Sequence, residues 1–184
     1  MVIKNVVKNA AELLNKENVI KYLNKGAPEG DAVETVEKLV RLTNLVMSDL
    51  SHLGYYISRT QWLSPKDGKI LFSAFRSRPI KIIEILDNDG KPLEYEMTTD
   101  GLRVSDKANT FVYAYEINNE TIDTNINFED YRLTDVMVAY GVAAEYLLTM
   151  HDFDGAVFWH EKFVDAVKSL KTTKNFRVKE RSFN

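Results

Sequence analysis

Few side chains in this sequence are placed to do chemistry, and each must be weighed against a plainer structural role. The histidines are His52, His151 and His160. His151, Asp152 and Asp154 are of the types that zinc takes, but there is no His-x-x-x-His pair, and His151 and His160 straddle the turn Asp152-Phe153-Asp154-Gly155. The simpler expectation is that they decorate helix ends. Asp87-Asn88-Asp89-Gly90 has the start of a calcium loop, yet Ile85 stands where an earlier oxygen ligand is needed, which favours a hairpin turn. Glu145 interrupts an apolar helix and could serve as a proton-transfer group; an ion pair with Arg41 or with a lysine of a neighbouring helix is the plainer expectation. Trp62, Trp159 and the tyrosines could line a ligand groove, although at strand and helix spacing such residues more often form a core or an interface. Arg76-Ser77-Arg78-Pro79 is a compact basic loop between two strand-like runs. It reads as a solvated turn or, more sharply, as a contact for a partner or a phosphate through Arg76 and Arg78.

Standard catalytic signatures are missing. The sequence has no Gly-x-Ser-x-Gly, no Gly-x-x-x-x-Gly-Lys and no Gly-x-Gly-x-x-Gly, so neither a nucleophile elbow nor a phosphate-cradling loop is expected. With no cysteine, disulfides, thiolate zinc sites, iron–sulfur clusters and cysteine nucleophiles are excluded together. No catalytic residue, metal or cofactor is assigned. The 184 residues carry a formal net charge of −3, which argues against a general nucleic-acid binder. The longest apolar run, Val136 to Ala144, is far short of the roughly 20 residues of a membrane span. The start, Met1-Val2-Ile3-Lys4-Asn5, lacks the pattern of a signal peptide. A soluble, non-enzymatic protein is expected.

The elements that must hold these residues fall into three zones. Val6, Val7, Ala10, Leu13 and Leu14 recur at helical spacing, and Val19, Ile20 and Leu23 form a second short cluster before the break at Gly26-Ala27-Pro28-Glu29-Gly30. Asp31 with Glu34 three residues on predicts a capped start. The next helix carries Val36, Leu39, Val40, Thr43, Val46, Met47 and Leu50 on its stripe. Leu42 and Leu45 widen that stripe, so cover on more than one side is expected. From Tyr55 the period changes to two. Asp67-Gly68, Asp89-Gly90 and Asp100-Gly101 signal tight hairpins, and strands are expected within 55–62 and over Ile70–Phe75, Ile80–Leu86, Leu93–Thr98, Leu102–Val104 and Thr110–Ile117. Asn118–Phe128 reads as an extended connector. Thr134-Asp135 opens a helix that is apolar almost all round, and Ala156, Trp159, Phe163, Val167 and Leu170 mark the inner face of a last one, with Trp159 and Phe163 as expected core anchors.

The fold class expected is α+β: a helical core formed by both ends of the chain, residues 1–54 and 118–171, with a small antiparallel β-sandwich or barrel module, 55–117, inserted between them. Residues 172–184 read as an extended basic arm. Lys174, Phe176, Arg177, Val178, Lys179 and Arg181 in it are candidate partner contacts, because a basic arm on an acidic body suits docking and its alternation suits strand addition.

In this order of segments the chain resembles the head-to-tail adaptor proteins of tailed phages, of the tail tubular protein A type. The resemblance is carried by the helix ending Asn44-Leu45-Val46-Met47-Ser48-Asp49-Leu50, by Asp67-Gly68-Lys69-Ile70 running to Phe75, by Arg78-Pro79-Ile80-Lys81-Ile82-Ile83 and Asp89-Gly90-Lys91-Pro92-Leu93, and most by Ala139-Tyr140-Gly141-Val142-Ala143-Ala144-Glu145-Tyr146-Leu147 followed by Ala156-Val157-Phe158-Trp159 and Phe163. It spans roughly residues 36 to 171. It implies a structural virion protein at the head–tail junction, assembled in the bacterial host cytoplasm, forming a homo-oligomeric ring, usually of twelve subunits, between the portal protein and the downstream tail or nozzle proteins. Double-stranded DNA would pass through without sequence-specific binding, and no membrane is involved. An acidic protein suits such a channel, since a basic lumen would hold phosphates. The competing expectation is a helical stalk whose β-lobe binds a sugar or a peptide, which predicts exposed aromatic side chains on that lobe.

Overall fold

The computed structural model describes residues 1–117 and 119–173, with side chains described to residue 170; Lys174 to Arg181, the arm residues named above, lie outside the described residues. The element order is helix, sheet, helix: α1 Ile3–Leu13, α2 Glu17–Lys25, α3 Ala32–His52, then strands β1 Ile57–Trp62, β2 Lys69–Leu71, β3 Pro79–Asp87, β4 Tyr95–Met97, β5 Gly101–Val104, β6 Ala108–Tyr115 and β7 Asn127–Phe128, then α4 Asp135–Thr149 and α5 Phe153–Thr173. Helices from the two ends of the chain pack together and antiparallel sheets are inserted between them, the α+β arrangement expected. The chain forms two compact units: one of residues 1–46, 121–124 and 131 onward, the other of residues 47–120 and 125–130.

In the helical unit α4 packs on both α1 and α5. It does so because Val138, Ala139, Gly141, Val142, Ala143 and Ala144 are all buried. Small residues keep the helix thin, and a Cβ added at Gly141 would lie 2.8 Å from Val46 Cγ1 and 3.2 Å from the Phe163 ring. α1 has no side-chain cap. Its first backbone N–H groups are satisfied instead by the returning connector: Ile3 N–H donates to Thr124 O (3.1 Å) and Lys4 N–H to Ile122 O (2.9 Å). Helix α2 stops at Gly26, whose φ of 75° is the left-handed C-cap that glycine adopts without strain. Ahead of α3, the Asp31 carboxylate accepts from the Thr35 hydroxyl (3.3 Å) and the Asn18 amide (2.6 Å). Thr43, fully buried on α3, returns its hydroxyl to Leu39 O at 2.8 Å, so its burial leaves no orphan donor.

Two expectations for the helices need correction. Of the two residues that widen the α3 stripe, Leu45 is 46% exposed and Leu42 half-buried, so the cover reaches less far round the helix than expected. On α5 the inner face is as read, with Ala156, Val167 and Leu170 buried, but Trp159 and Phe163 are only half-buried. Trp159 is not enclosed as a core anchor; it lies against the Tyr140 ring in a stack with centroids 5.6 Å apart.

The other unit holds a four-stranded sheet of order β3-β6-β1-β7 and a three-stranded sheet of order β2-β5-β4, all pairs antiparallel. β6 lies at the centre of the larger sheet, and its inward residues Phe111, Tyr113 and Tyr115 are among the largest fully buried side chains. Lys66 and Lys69 exchange both backbone hydrogen bonds at 3.0 Å around Asp67-Gly68, where both central residues have positive φ, a two-residue hairpin as the Asp-Gly pair predicts. Gly101 is different. A Cβ there would lie 2.1 Å from Ile70 O, so this glycine permits close approach of β5 to β2 rather than a special turn angle. Three local expectations shift. The run Ile70–Phe75 ends as a strand at Leu71 and tightens into a 3-10 turn over Phe72–Ala74, after one last hydrogen bond in register with β5, from Phe72 N–H to Asp100 O at 2.9 Å. The run Leu93–Thr98 is strand only over Tyr95–Met97. The connector contributes a short strand, β7, on the free edge of β1.

Candidate functional site

Arg76 and Arg78, expected to meet a partner, both flank one surface hollow in the β-unit. Arg76 and Arg78 line it together with Ser77, Pro79, Ile80, Glu116 and Glu120, and its volume is about 560 Å3. Local packing explains why the arginines face outward. Phe75, immediately before them, is buried and meets the rings of Phe111 and Tyr113 edge-on at 5.8 and 4.9 Å. With Phe75 anchored inward, the chain bends over residues 75–77 and leaves Arg76 and Arg78 exposed, with Ser77 half-buried between them.

The loop is then fixed by polar clamps from β1. Gln61 donates from Nε2 to Ala74 O (3.1 Å) and accepts at Oε1 from Arg76 N–H (2.9 Å) and from the Tyr113 hydroxyl (2.9 Å). Two residues earlier on the same inward set, Arg59 donates from Nη1 to Ser77 Oγ (2.9 Å) and from Nη2 to the Tyr115 hydroxyl and Glu120 Oε1 (both 3.3 Å). Its guanidinium sits 4.3 Å from the Tyr115 ring centroid. The Arg59 and Glu120 side chains are 18% and 17% exposed, so this is a well-covered pair in which both Nη atoms of the guanidinium are engaged. Burial pushes the Tyr115 phenol above its ordinary value, against the opposing pull of Arg59.

What remains unspent at the hollow is charge. Among the described residues no ion pair or hydrogen bond engages the guanidinium groups of Arg76 or Arg78, and Glu116 forms no ion pair. Two cations and one anion therefore face the opening, beside an aliphatic wall of Pro79 and half-exposed Ile80. Sequence reading found Arg76 and Arg78 but not the residues that hold them. The available signal was Arg59 and Gln61: both alternate with Ile57 on the face of β1 that turns inward, and a buried-face arginine demands partners.

The other sequence candidates are placed elsewhere. The Asp152 carboxylate accepts from Gly155 N–H at 3.0 Å and so caps α5. Among the described residues no three His, Asp or Glu side chains converge as a metal site requires. Asp87 accepts at Oδ1 from the N–H groups of Asp89 (2.9 Å) and Lys91 (2.8 Å), which is hairpin chemistry. Glu145 is half-buried and, among the described residues, forms no ion pair with Arg41 or any lysine, which corrects that expectation. Trp62, at the end of β1, is 78% exposed. On the helical unit a second kind of surface appears where α4 turns into α5: Leu148, Met150, Phe153, Val157 and Phe158 are all exposed, Phe153 and Val157 by 61% and 58%. Among the described residues no helix is long and apolar enough to cross a membrane. No protein-family model matches the chain and no curated protein matches it.

Proposed function

We propose that this protein is a structural adaptor that assembles into a homo-oligomeric ring at the head–tail junction of a tailed phage, joining the portal to the tail and lining the DNA exit. The observation that carries the reading is the exposed apolar surface of α4 and α5, in a helical unit built from both ends of the chain. Leu148, Met150, Phe153, Val157 and Phe158 make a surface that a monomer would seldom leave in water, and a ring offers each subunit a neighbour for it. The basic arm from Lys174 to Arg181 would reach a neighbouring subunit or the portal. The test is the mass of the purified protein by light scattering, alone and mixed with portal rings. Ring-sized species, reduced by Phe153→Asp together with Val157→Asp, are expected; a protein that stays monomeric with every portal offered counts against the reading.

One observation favours a second reading, a binding module on a helical stalk: Trp62 is exposed on the β-unit and Tyr95 is 40% exposed. Exposed aromatic faces suit sugar or peptide recognition. Loss of glycan or peptide retention on Trp62→Ala, with mass in solution unchanged, would favour that reading over the adaptor.

A further inference from the structure

The geometry points to the Arg76–Arg78 hollow as a preorganised docking site for an acidic-aliphatic peptide segment of a partner protein: a carboxylate side chain held between the two guanidinium groups, with a neighbouring aliphatic side chain against Pro79 and Ile80. The site's size, about 560 Å3, falls within the roughly 300–1,000 Å3 typical of ligand clefts. Its chemistry is mixed rather than simply basic. Arginine presents a planar fork that matches a carboxylate in two parallel hydrogen bonds, and both forks are unengaged by the described residues. Preorganisation is the unusual part. A loop with two exposed arginines would ordinarily lose much freedom on binding. Here the Gln61 clamp on Ala74 and Arg76, the Arg59 bond to Ser77 and the buried Phe75 ring have already fixed the backbone.

Nucleic acid fits less well. Its phosphates would meet Arg76 and Arg78, but the next phosphate along the strand would run against Glu116 and Glu120. The described residues that line the hollow also offer no aromatic ring on which a base could stack. A peptide turns the same features to use, because its backbone N–H groups are donors for Glu116. The inference stands apart from ring assembly: it concerns one subunit's β-unit and holds or fails whatever the oligomeric state.

The test is fluorescence anisotropy on the full chain with a labelled, end-capped hexapeptide of alternating glutamate and leucine. Competing probes are the same peptide with alanine for leucine, one with lysine for glutamate, hexathymidylate, and inorganic phosphate. The glutamate–leucine peptide is expected to bind, about tenfold or more weakly to the Arg76→Ala/Arg78→Ala variant, and more weakly as salt rises. Alanine for leucine should weaken binding about threefold, and lysine for glutamate should abolish it. Gln61→Ala, which frees the loop without touching the ligand, should weaken binding while leaving its salt dependence intact. Both arginines are exposed, so the double variant should melt at the wild-type temperature, which separates a lost contact from a lost fold. No binding by the acidic peptide, equal binding to the double variant, tighter binding of hexathymidylate, or full displacement by phosphate alone each overturns the proposal.

Discussion

In the helical unit the largest fully buried side chains are aliphatic, Ile3, Leu39 and Val6, and the small residues of α4, Gly141 among them, let neighbouring side chains approach closely. In the β-unit the largest are Tyr113, Tyr115 and Phe111. The difference has consequences at the surface. A largely aliphatic interior has few polar atoms to satisfy, and the buried Thr43 hydroxyl is met within its own helix at Leu39 O, so helices can close over it on spacing and leave an apolar surface such as Phe153 and Val157 outside. An interior built on tyrosines brings hydroxyls inward, and each needs a partner. Gln61 and Arg59 supply them, and the same two side chains then hold the Arg76–Arg78 loop. The β-unit's interior thus shapes its polar surface, whereas the helical unit's interior leaves its apolar surface unconstrained.

If that contrast is right, the β-unit should be broken most easily at its backbone and its polar clamp, and the helical unit at its small-residue seam. The largest effect is expected at Gly101→Ala. The new methyl would meet the backbone of Ile70 and Leu71, with Ile70 O at 2.1 Å, and backbone cannot swing aside as a side-chain tip can. The change should exceed the roughly 1–3 kcal/mol of ordinary overpacking. Urea unfolding followed through Trp62 fluorescence would show it. A loss under about 0.5 kcal/mol would mean that β5 does not approach β2 so closely.

Arg59→Ala comes next. It leaves Glu120 covered without its guanidinium and takes a hydrogen bond from the Tyr115 hydroxyl and from Ser77 Oγ. The expected loss is about 1–3 kcal/mol. Arg59→Lys should recover only part, since lysine keeps the charge without the fork that reaches three partners. Full recovery by lysine would reduce the network to simple charge neutralisation.

How far these features could be read from the sequence follows the same division. The helices were legible because period 3.6, the Gly26 break and the Thr134 cap are local signals, and the apolar run of α4 announces a helix that packs on two others. Strand positions were legible from alternation and from Asp-Gly pairs. Strand ends were not, since the apolar pattern of Ile70–Phe75 runs on past Leu71 through the 3-10 turn at Phe72–Ala74 to the buried Phe75. Exposure was the harder quantity. Leu45, Phe153 and Val157 are apolar at helical spacing whether or not anything covers them, and only the packing tells. At the hollow, Arg76 and Arg78 were visible as a basic loop, but Glu116 and Glu120 enter from the far end of β6 and beyond, and no spacing rule links positions 40 apart.

On the helical side, Gly141→Ala measures how closely α4 is approached. Alanine favours a helix interior over glycine by about 1 kcal/mol. Against this, the methyl lies 2.8 Å from Val46 Cγ1, a short branched side chain with little room to turn, and 3.2 Å from the Phe163 ring. Overpacking of roughly 1–3 kcal/mol should outweigh the helix gain and leave a net loss of about 1 kcal/mol. Calorimetric melting decides the sign, and a stabilised variant would show the seam to be loose.

The smallest effect lies at Asp87, where the contrast can be sharpened with pH. Its carboxylate accepts from the backbone of Lys91 and Asp89 and closes the turn after β3, whereas α2 is ended by a glycine backbone that carries no charge. The Lys91 N–H holds Asp87 below its ordinary value of 3.8; burial pulls the other way, and the Asp89 N–H and the charges of Lys91 and Lys107 add to the lowering. A folded value below the unfolded one means that the ionised form binds the fold better. Its contribution is therefore present above the unfolded value near 3.8 and is lost as pH falls from there through the folded value. Asp87→Asn keeps an oxygen acceptor for both N–H groups but removes the charge. Wild type should be slightly more stable than Asp87→Asn at pH 7, and the gap should close as pH falls below about 3.8. The two tryptophans allow the units to be read apart: with Trp159→Phe the signal comes from the β-unit, with Trp62→Phe from the helical one. The pH-dependent gap should appear in the Trp62 signal. A gap that stays constant down to pH 2 would assign the turn's stability to hydrogen bonding alone, with the charge contributing nothing.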